Sequence, residues 1–277
     1  MAMANLEVRF WGVRGSIPTP HEPNMKHGGN TPCVEVRHDG GPPLIFDAGT
    51  GIRCLGRELL NGLPPGGKHK VHLFLTHFHW DHIQGLPFFD PLYRADYFLQ
   101  VWSSVGAEHL QATLERQMSR PYFPIDLTEP PRRPDYTMAP MDGVEVEGIQ
   151  VEPFPLHHPG GCTGYRLSAG GTRIIYATDH EPGNESCDRR LVQMAGGADL
   201  LIIDSQYLPE EYPARKGWGH GTWLASAETA RQAGVKQLVL FHHDPARDDS
   251  AVEDVLRMAQ GEFANTIAAR EGCNLTL

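Results

Sequence analysis

Val71-His72-Leu73-Phe74-Leu75-Thr76-His77-Phe78-His79-Trp80-Asp81-His82 is the most informative stretch of this 277-residue chain. Its largely apolar beginning is typical of a buried strand, and its polar end follows that strand as a loop. Alternation along an extended chain places His77 and His79 on one side, and the next turn carries Asp81 and His82 to a second point. Imidazole and carboxylate groups bind divalent metals such as zinc and leave a coordination position for water. The stretch therefore predicts a metal site with two positions.

The composition indicates a globular protein with a small substrate. Hydrophobic residues make up 40% and charged residues 21% of the chain, and no apolar run is long enough to span a membrane. The net charge of -10 opposes the binding of long nucleic acids, because that binding relies on a basic surface. The five cysteines are scattered and predict neither a disulfide framework nor a zinc knuckle. We expect one domain over residues 1–277 and, because the first residues resemble no signal peptide, a cytoplasmic location.

Hydrophobic periodicity predicts groups of strands interspersed with helices. The predicted strands cover residues 6–11, 34–37, 44–46, 71–75, 97–102, 149–154, 165–167, 173–177, 200–203 and 237–241. The predicted helices cover residues 52–61, 107–119, 188–195, 222–233 and 249–270, the last with Asp248 or Asp249 as its N-cap. This order favours an α/β sandwich of two packed sheets with helices on the outer faces. The proline-rich segment 119–140 predicts an ordered loop near the mouth of the site.

The run from His77 to His82 resembles the metal-binding motif of the metallo-β-lactamase superfamily. Segments farther along the chain resemble one branch of it, which contains ribonuclease Z, the phosphonate-pathway cyclic phosphodiesterase and the anti-Pycsar cyclic nucleotide phosphodiesterases. The resemblance implies an αββα sandwich, with two mixed β-sheets flanked by helices, and this agrees with the order of the predicted elements. It also implies a homodimer and two divalent metal ions, with zinc expected first and manganese as the alternative.

Three of these segments resemble the remaining ligand segments of those families. Segment 155–158, followed by glycine and tyrosine at 164–165, implies His158 as a ligand, with His157 as the alternative. Segment 176–179 implies that Asp179 bridges the two metals. Segment 238–243 implies His242, with His243 as the alternative. The implied ligands of one metal are His77, His79, His158 and Asp179, and those of the other are Asp81, His82, Asp179 and His242.

Segment 219–222 opens a predicted helix and resembles the segment whose histidine faces the scissile phosphate in the same families. We therefore expect His220 to bind the substrate and to act in catalysis, by donating a hydrogen bond to a phosphoryl oxygen or by protonating the leaving group. The alternative for His220 is a polar residue at a helix start without chemistry. Asp81 is expected to accept a proton in addition to binding metal.

Four other residues have expected roles around the site. His180 is expected either to face the substrate or to support the metal ligands beside it, and a purely structural role is the alternative. Arg14 and Asn30 lie in glycine-rich segments, which either approach an anionic substrate closely or form tight turns. Asp47 resembles the first aspartate of the superfamily, which implies that it braces the metal loop without binding metal.

The expected reaction is hydrolysis of a small or cyclic phosphodiester, such as a cyclic nucleotide. Only 20 residues separate His158 from Asp179, whereas many ribonucleases Z insert a long arm for transfer RNA there. A ribonuclease Z-like RNA endonuclease is one alternative. Hydrolysis of a carboxylic ester, lactone or β-lactam on the same metals is another, in which His220 has no required role. A metal-binding sensor without catalysis is the third.

Overall fold

Two seven-stranded mixed sheets form the protein, whose computed structural model describes residues 5–62 and 67–277. The first sheet contains β1 (Leu6–Gly12), β2 (Cys33–His38), β3 (Leu44–Phe46), β4 (His69–Phe74), β5 (Tyr97–Ser103), β6 (Asp135–Met138) and β14 (Asn274–Thr276). The second contains β7 (Val144–Val146), β8 (Ile149–Leu156), β9 (Cys162–Ala169), β10 (Thr172–Ala177), β11 (Leu200–Asp204), β12 (Gln237–Phe241) and β13 (Thr266–Ala268). The first four residues, on which the expected cytoplasmic location partly depends, lie outside the described residues.

Seven α-helices occur in the described residues, and their bounds are α1 (Ile52–Gly62), α2 (Trp80–Ile83), α3 (Ala107–Gln117), α4 (Glu185–Ala195), α5 (Tyr212–Arg215), α6 (Trp223–Ala233) and α7 (Asp249–Glu262). Within this part of the chain, every helix is too short or too polar to cross a membrane.

The order of the strands brings several carboxyl ends to one edge of the sandwich. The first sheet runs β14-β1-β2-β3-β4-β5-β6, and the second runs β13-β12-β11-β10-β9-β8-β7. Strands β3 to β6 are mutually parallel, as are β10 to β13, while the remaining pairs are antiparallel. Parallel neighbours end on the same side, so the loops after β10, β11 and β12 open together, a usual position for a ligand site in such sheets.

Three apolar layers hold the sandwich together. Val239 and Phe241 of β12 pack between the two sheets, and the alternate residues Leu238 and Leu240 pack beneath the helices of the second sheet. A strand that is buried on both faces has an uninterrupted apolar sequence. The apolar run in residues 237–241 therefore predicted β12 correctly. The predicted α/β sandwich is confirmed, with helices α1 and α3 on one side and α4, α6 and α7 on the other.

The predicted helix 249–270 is wrong over its last third. Helix α7 begins after its N-cap Asp248, whose side chain accepts a hydrogen bond from the amide of Ala251, but it ends at Glu262. Strand β13 follows at Thr266–Ala268 and pairs with β12. The β-branched residues Thr266 and Ile267 favour an extended chain, and pairing with the open edge of β12 supplies the hydrogen bonds that a longer helix would have made.

The proline-rich segment 119–140 is only partly the predicted loop. Strand β6 (Asp135–Met138) forms inside it and pairs with β5. A cavity beside His77 is bordered by Met141, just beyond this segment, and by no residue of 119–140. The short strands β6, β7, β13 and β14 were not predicted, because three or four residues show too little alternation.

Replacing Phe74 by alanine is expected to destabilise the protein by about 3–5 kcal/mol, because a large buried ring is lost and a cavity remains. The Phe74 ring is fully buried and stacks on Phe46 and Trp102, with ring centroids 5.3 and 5.5 Å apart. Urea denaturation measures the change. Phe88→Ala is the matched control, because Phe88 is 54% exposed and its loss should cost much less. An equal loss of unfolding free energy in the two variants would contradict the assignment of Phe74 to the apolar layer between the sheets.

Candidate metal centre

The predicted metal ligands converge beyond the carboxyl ends of strands from both sheets. The ligand atoms of His77, His79, His158 and Asp179 all lie within 4.8 Å of one another, and so do those of Asp81, His82 and His242. Asp179 joins the two groups, because its Oδ1 lies 3.3 Å from the Nε2 atoms of both His82 and His242. The structure thus brings together the two sets expected from the sequence, with Asp179 between them.

The first group presents three imidazoles to one carboxylate oxygen. The Nε2 atoms of His77 and His158 each lie 3.6 Å from Asp179 Oδ2, and the Nδ1 atom of His79 lies 3.0 Å from His158 Nε2. Burial, with the neighbouring His82, lowers the pKa of His77 well below its ordinary value. Burial also lowers the pKa of His158. Neutral imidazoles are the form that binds metal, so this environment suits a ligand role.

The second group follows from the short helix α2. His79 is the N-cap residue of α2, and the helical turn brings Asp81 and His82 to His242, while the His82 ring stays 4.3 Å from that of His77. Asp81 Oδ2 lies 3.2 Å from His242 Nε2 and 3.3 Å from His82 Nε2, and it accepts a hydrogen bond of 2.8 Å from the amide of Ser16. The turn inferred from the sequence is this helix.

Each of three ligand histidines is held at Nδ1 and presents Nε2 to the cluster. The partners of Nδ1 are Asp47 Oδ2 for His82 at 2.9 Å, the carbonyl of Gly219 for His158 at 2.8 Å and Gln206 Oε1 for His242 at 2.8 Å. Such contacts fix the tautomer and the direction of the ring. The cluster is therefore arranged by the surrounding chain.

Asp47 braces the metal loop without belonging to either group. Its carboxylate accepts hydrogen bonds from the amide and hydroxyl of Thr76, from the hydroxyl of Tyr176 and from His82. It lies after β3, Thr76 lies after β4, and Tyr176 belongs to β10 of the other sheet. The role implied for Asp47 thus agrees with its contacts.

The donor set and its unpartnered atoms fit divalent metals. Among the described residues, the buried Nε2 atoms of His77 and His82 have no hydrogen-bond partner. Burial alone would lower the pKa of His82, but the carboxylates of Asp179, Asp81 and Asp47 raise it well above its ordinary value. A bound cation would balance these carboxylates in place of the proton on His82.

The neighbouring histidines left open as alternatives point elsewhere. His243 Nε2 lies 3.0 Å from the carbonyl of Ala269, and its buried ring packs against His27, with burial lowering its pKa to about 3. His157 Nδ1 lies 2.8 Å from the carbonyl of Glu181. Only one histidine of each pair therefore enters the cluster.

Three residues expected to contact substrate are engaged by the chain itself. His180 Nε2 lies 3.1 Å from Asp188 Oδ1 at the start of α4, and its Nδ1 accepts a hydrogen bond from the amide of His157. Both ring nitrogens of His180 are therefore engaged within the chain, and His180 belongs to none of the candidate metal groups.

Arg14 and Asn30 also hold loops together. The fully buried Arg14 donates to the carbonyls of Gly28, Asp244 and Arg247. Asn30 donates to the carboxylate of Glu271 and accepts from the hydroxyl of Thr50. Nε and Nη1 of Arg14 and the side-chain amide of Asn30 are thus bonded within the protein, and the substrate contacts expected of these two residues stay predictions.

His220 does reach the cluster, together with an aspartate that the sequence analysis missed. Its Nδ1 lies 2.7 Å from Asp204 Oδ2, and its ring stacks on His242 with centroids 4.9 Å apart. Burial alone would lower the pKa of His220, but the carboxylates of Asp204 and Asp179 raise it to about 9. Asp204 and His220 also lie within 4.8 Å of Asp179 and His242, but the short contact with Asp204 occupies Nδ1 of His220.

The loop before His220 is fixed by a second missed residue, Glu181. Its carboxylate accepts hydrogen bonds of 2.7 Å from the amides of Gly217 and Gly219. Thr222 then caps helix α6 by accepting from the amide of Ala225. A sequence signal existed for Asp204, which ends the apolar strand β11 as Asp179 follows the parallel strand β10. None existed for Glu181, whose partners are backbone amides.

A sandwich of two mixed sheets with this His and Asp cluster at its edge is the metallo-β-lactamase fold. The chain matches the family described as "Beta-lactamase superfamily domain" over residues 44–243, and it belongs to that superfamily. The resemblance seen in the sequence is therefore confirmed. The fold implies divalent metal ions, which the cluster suits.

Several relatives match along almost the whole chain. A ribonuclease Z of Mycobacterium bovis is 29% identical over 95% of this chain and 94% of that protein. The metallo-β-lactamase fold protein YhfI of Bacillus subtilis has a TM-score of 0.73 at 16% identity, covering 99% of this chain and all of that one. A structure described as a new diphosphatase of the PhnP family has a TM-score of 0.72 at 19% identity, covering 99% and 97% of the two chains.

Replacing Asp47 by asparagine is expected to weaken metal binding about 10–100-fold, because the acceptor that orients His82 and Thr76 is altered. Competition with a chromophoric chelator measures the affinity. Asp142→Asn, at an exposed turn, is the control and should bind metal as the wild type does. Unchanged affinity in Asp47→Asn would show that the metal loop keeps its geometry without this carboxylate.

Replacing Asp204 by asparagine is expected to lower the pKa of His220 from about 9, because burial is then opposed only by the remaining carboxylates of Asp179 and Asp81. Imidazole signals of the chelator-treated protein, followed by NMR between pH 5 and 10, measure this change. Asp188→Asn, which removes the partner of His180, is the matched control and should leave His220 unaffected. An equally high pKa in Asp204→Asn would contradict the pairing.

Proposed function

We propose that this protein is a hydrolase with two divalent metal ions that cleaves a small or cyclic phosphodiester, such as a cyclic nucleotide. The observation that carries the proposal is the position of His220, held by Asp204 and stacked on His242 at the edge of the cluster. A phosphodiester has anionic oxygens and a leaving oxygen that needs a proton, and a charged imidazole beside metal ligands suits both requirements.

Two sets of residues would hold the metal ions of the proposed reaction. His77, His79, His158 and Asp179 would hold one metal, and Asp81, His82, Asp179 and His242 the other. When bound, such ions neutralise charge on the phosphate and lower the pKa of water to about 7. Zinc is proposed first, because it accepts this nitrogen and oxygen donor set readily, and manganese is the alternative.

His220 and Asp81 are the proposed proton-handling residues. Because Nδ1 of His220 is occupied by Asp204, its Nε2 is the atom left to donate to a phosphoryl or leaving oxygen. Asp81 is proposed to accept the proton of the attacking water, and the amide of Ser16 fixes the oxygen of its carboxylate. Neither step requires His180, Arg14 or Asn30.

The net charge of the chain supports a small substrate, whereas the similarity to ribonuclease Z makes RNA the second candidate substrate. The net charge of -10 disfavours long polyanions. A new diphosphatase is among proteins of similar fold, which is consistent with a small phosphate compound. The relatives named ribonuclease Z favour RNA cleavage instead. A homodimer remains a proposal that follows from the family resemblance.

Zinc- or manganese-loaded protein is expected to hydrolyse bis(p-nitrophenyl) phosphate, and His220→Ala is expected to lower the rate about 10²-fold, the low end of the range for loss of a proton donor, because p-nitrophenolate leaves readily without a proton. Release of p-nitrophenolate measures turnover, with chelated protein as the blank. His21→Ala, at an exposed position, is the matched control and should keep wild-type activity.

Three outcomes separate the candidates. Turnover of cyclic nucleotides but not of a transfer RNA precursor supports the proposal. Preference for the precursor favours the RNA endonuclease. Absence of phosphodiester turnover in protein with both metals bound, together with hydrolysis of esters or lactones that persists in His220→Ala, rejects both phosphodiester functions.

A further inference from the structure

A cavity of about 440 Å³ opens beside His77 and His79, and His220 is not among the residues that line it. Its floor lies at the seam between the sheets, where Ser104 follows β5 and Thr163 belongs to β9. The two hydroxyl oxygens are 2.6 Å apart. The amide of Thr163 also donates to the carbonyl of Thr76, next to His77. The floor is thus joined directly to the metal loop.

Away from the metal ligands His77 and His79, the lining of this cavity contains no carboxylate, ammonium or guanidinium group. Charged residues make up 21% of the chain, yet none of the described residues that border the cavity is Asp, Glu, Lys or Arg. Burying a charge without a partner is costly, whereas uncharged groups with a few hydrogen bonds enter such pockets readily. The cavity therefore suits an uncharged part of a substrate whose phosphate lies at the cluster.

The walls and floor differ in chemistry. Phe78 and His109 form an edge-on ring pair with centroids 6.0 Å apart, and Met141 borders the same space. The Ser104 and Thr163 hydroxyls both donate and accept hydrogen bonds. Aromatic and thioether groups pack well against flat rings. A flat ring with polar atoms at its edge matches both surfaces, and a nucleobase is such a group.

We propose that this cavity binds the nucleoside part of the substrate, with the base against Phe78 and His109 and its polar edge at the Ser104 and Thr163 hydroxyls. The inference rests on the proposed function, because it assumes that the phosphate occupies the metal cluster. It makes Ser104 and Thr163 determinants of substrate specificity, separate from the residues that handle protons.

The test compares cyclic nucleotides with matched methyl riboside cyclic phosphates, which carry a methyl group in place of the base. Metal-loaded wild type is expected to have a higher kcat/KM for the nucleotides. Thr163→Val, which keeps the shape and the backbone contact to Thr76, should lower that value about tenfold, the effect of one lost hydrogen bond. Thr163→Val should leave kcat/KM for the base-free substrates unchanged. Ser104→Ala should have the same effects on the two kinds of substrate as Thr163→Val. Thr229→Val, on helix α6 outside the cavity, is the matched control.

Adenosine binding, followed by calorimetry on the same metal-loaded proteins, gives a readout without turnover. The Kd should rise in Thr163→Val and Ser104→Ala but not in Thr229→Val. Equal kcat/KM with and without the base, equal losses on both substrate types, or adenosine binding unaffected by either cavity variant would overturn the inference. If the metal-loaded wild type hydrolysed no phosphodiester, the proposed function itself would be overturned instead.

Discussion

The buried carboxylate of Asp47 is the contact on which the arrangement of the site depends. It joins Thr76, at the start of the metal loop, to His82 within that loop and to Tyr176 of the opposite sheet. A buried carboxylate is stable only when its oxygens are well hydrogen-bonded, and four donors from both sheets meet that need. The loop therefore cannot move without breaking contacts between the two halves of the sandwich.

Backbone geometry adds to this constraint. Asp47, Asp179 and His242 all have positive φ angles, of 63°, 57° and 60°. Residues other than glycine rarely adopt this left-handed conformation, which costs about 1–2 kcal/mol per residue. Asp47 and His242 directly follow their strands, and Asp179 lies one residue farther from the end of its strand. At these positions the chain turns sharply out of the sheet. Packing between the sheets supports this strain and aims the side chains into one small volume.

The sequence allowed the long buried strands and the metal run to be predicted for different physical reasons. Strands β10, β11 and β12 are apolar on both faces, so their composition alone marks them. In the run from His77 to His82, three histidines and one aspartate lie within six residues, and this spacing is itself the signal. The choice of His158 and His242 over their neighbours needed a family resemblance, because a pair of adjacent histidines does not show which one faces inward.

The residues that the sequence analysis missed act through partners elsewhere in the chain. Asp204 acts on His220, and Glu181 fixes two backbone amides, so neither has a motif of its own. For Arg14 and Asn30 the sequence left both anion binding and turn formation open, because their partners Arg247 and Glu271 are distant in sequence. Glycine-rich loops suggest close approach to an anion, but only the folded chain shows whether another part of the protein already fills that role.

The division of the ligands between the two sheets has a consequence for how the protein is made. During synthesis His77, His79, Asp81 and His82 leave the ribosome early, whereas Asp179 and then His242 emerge much later. A nascent chain therefore offers incomplete metal positions until the second sheet is nearly finished.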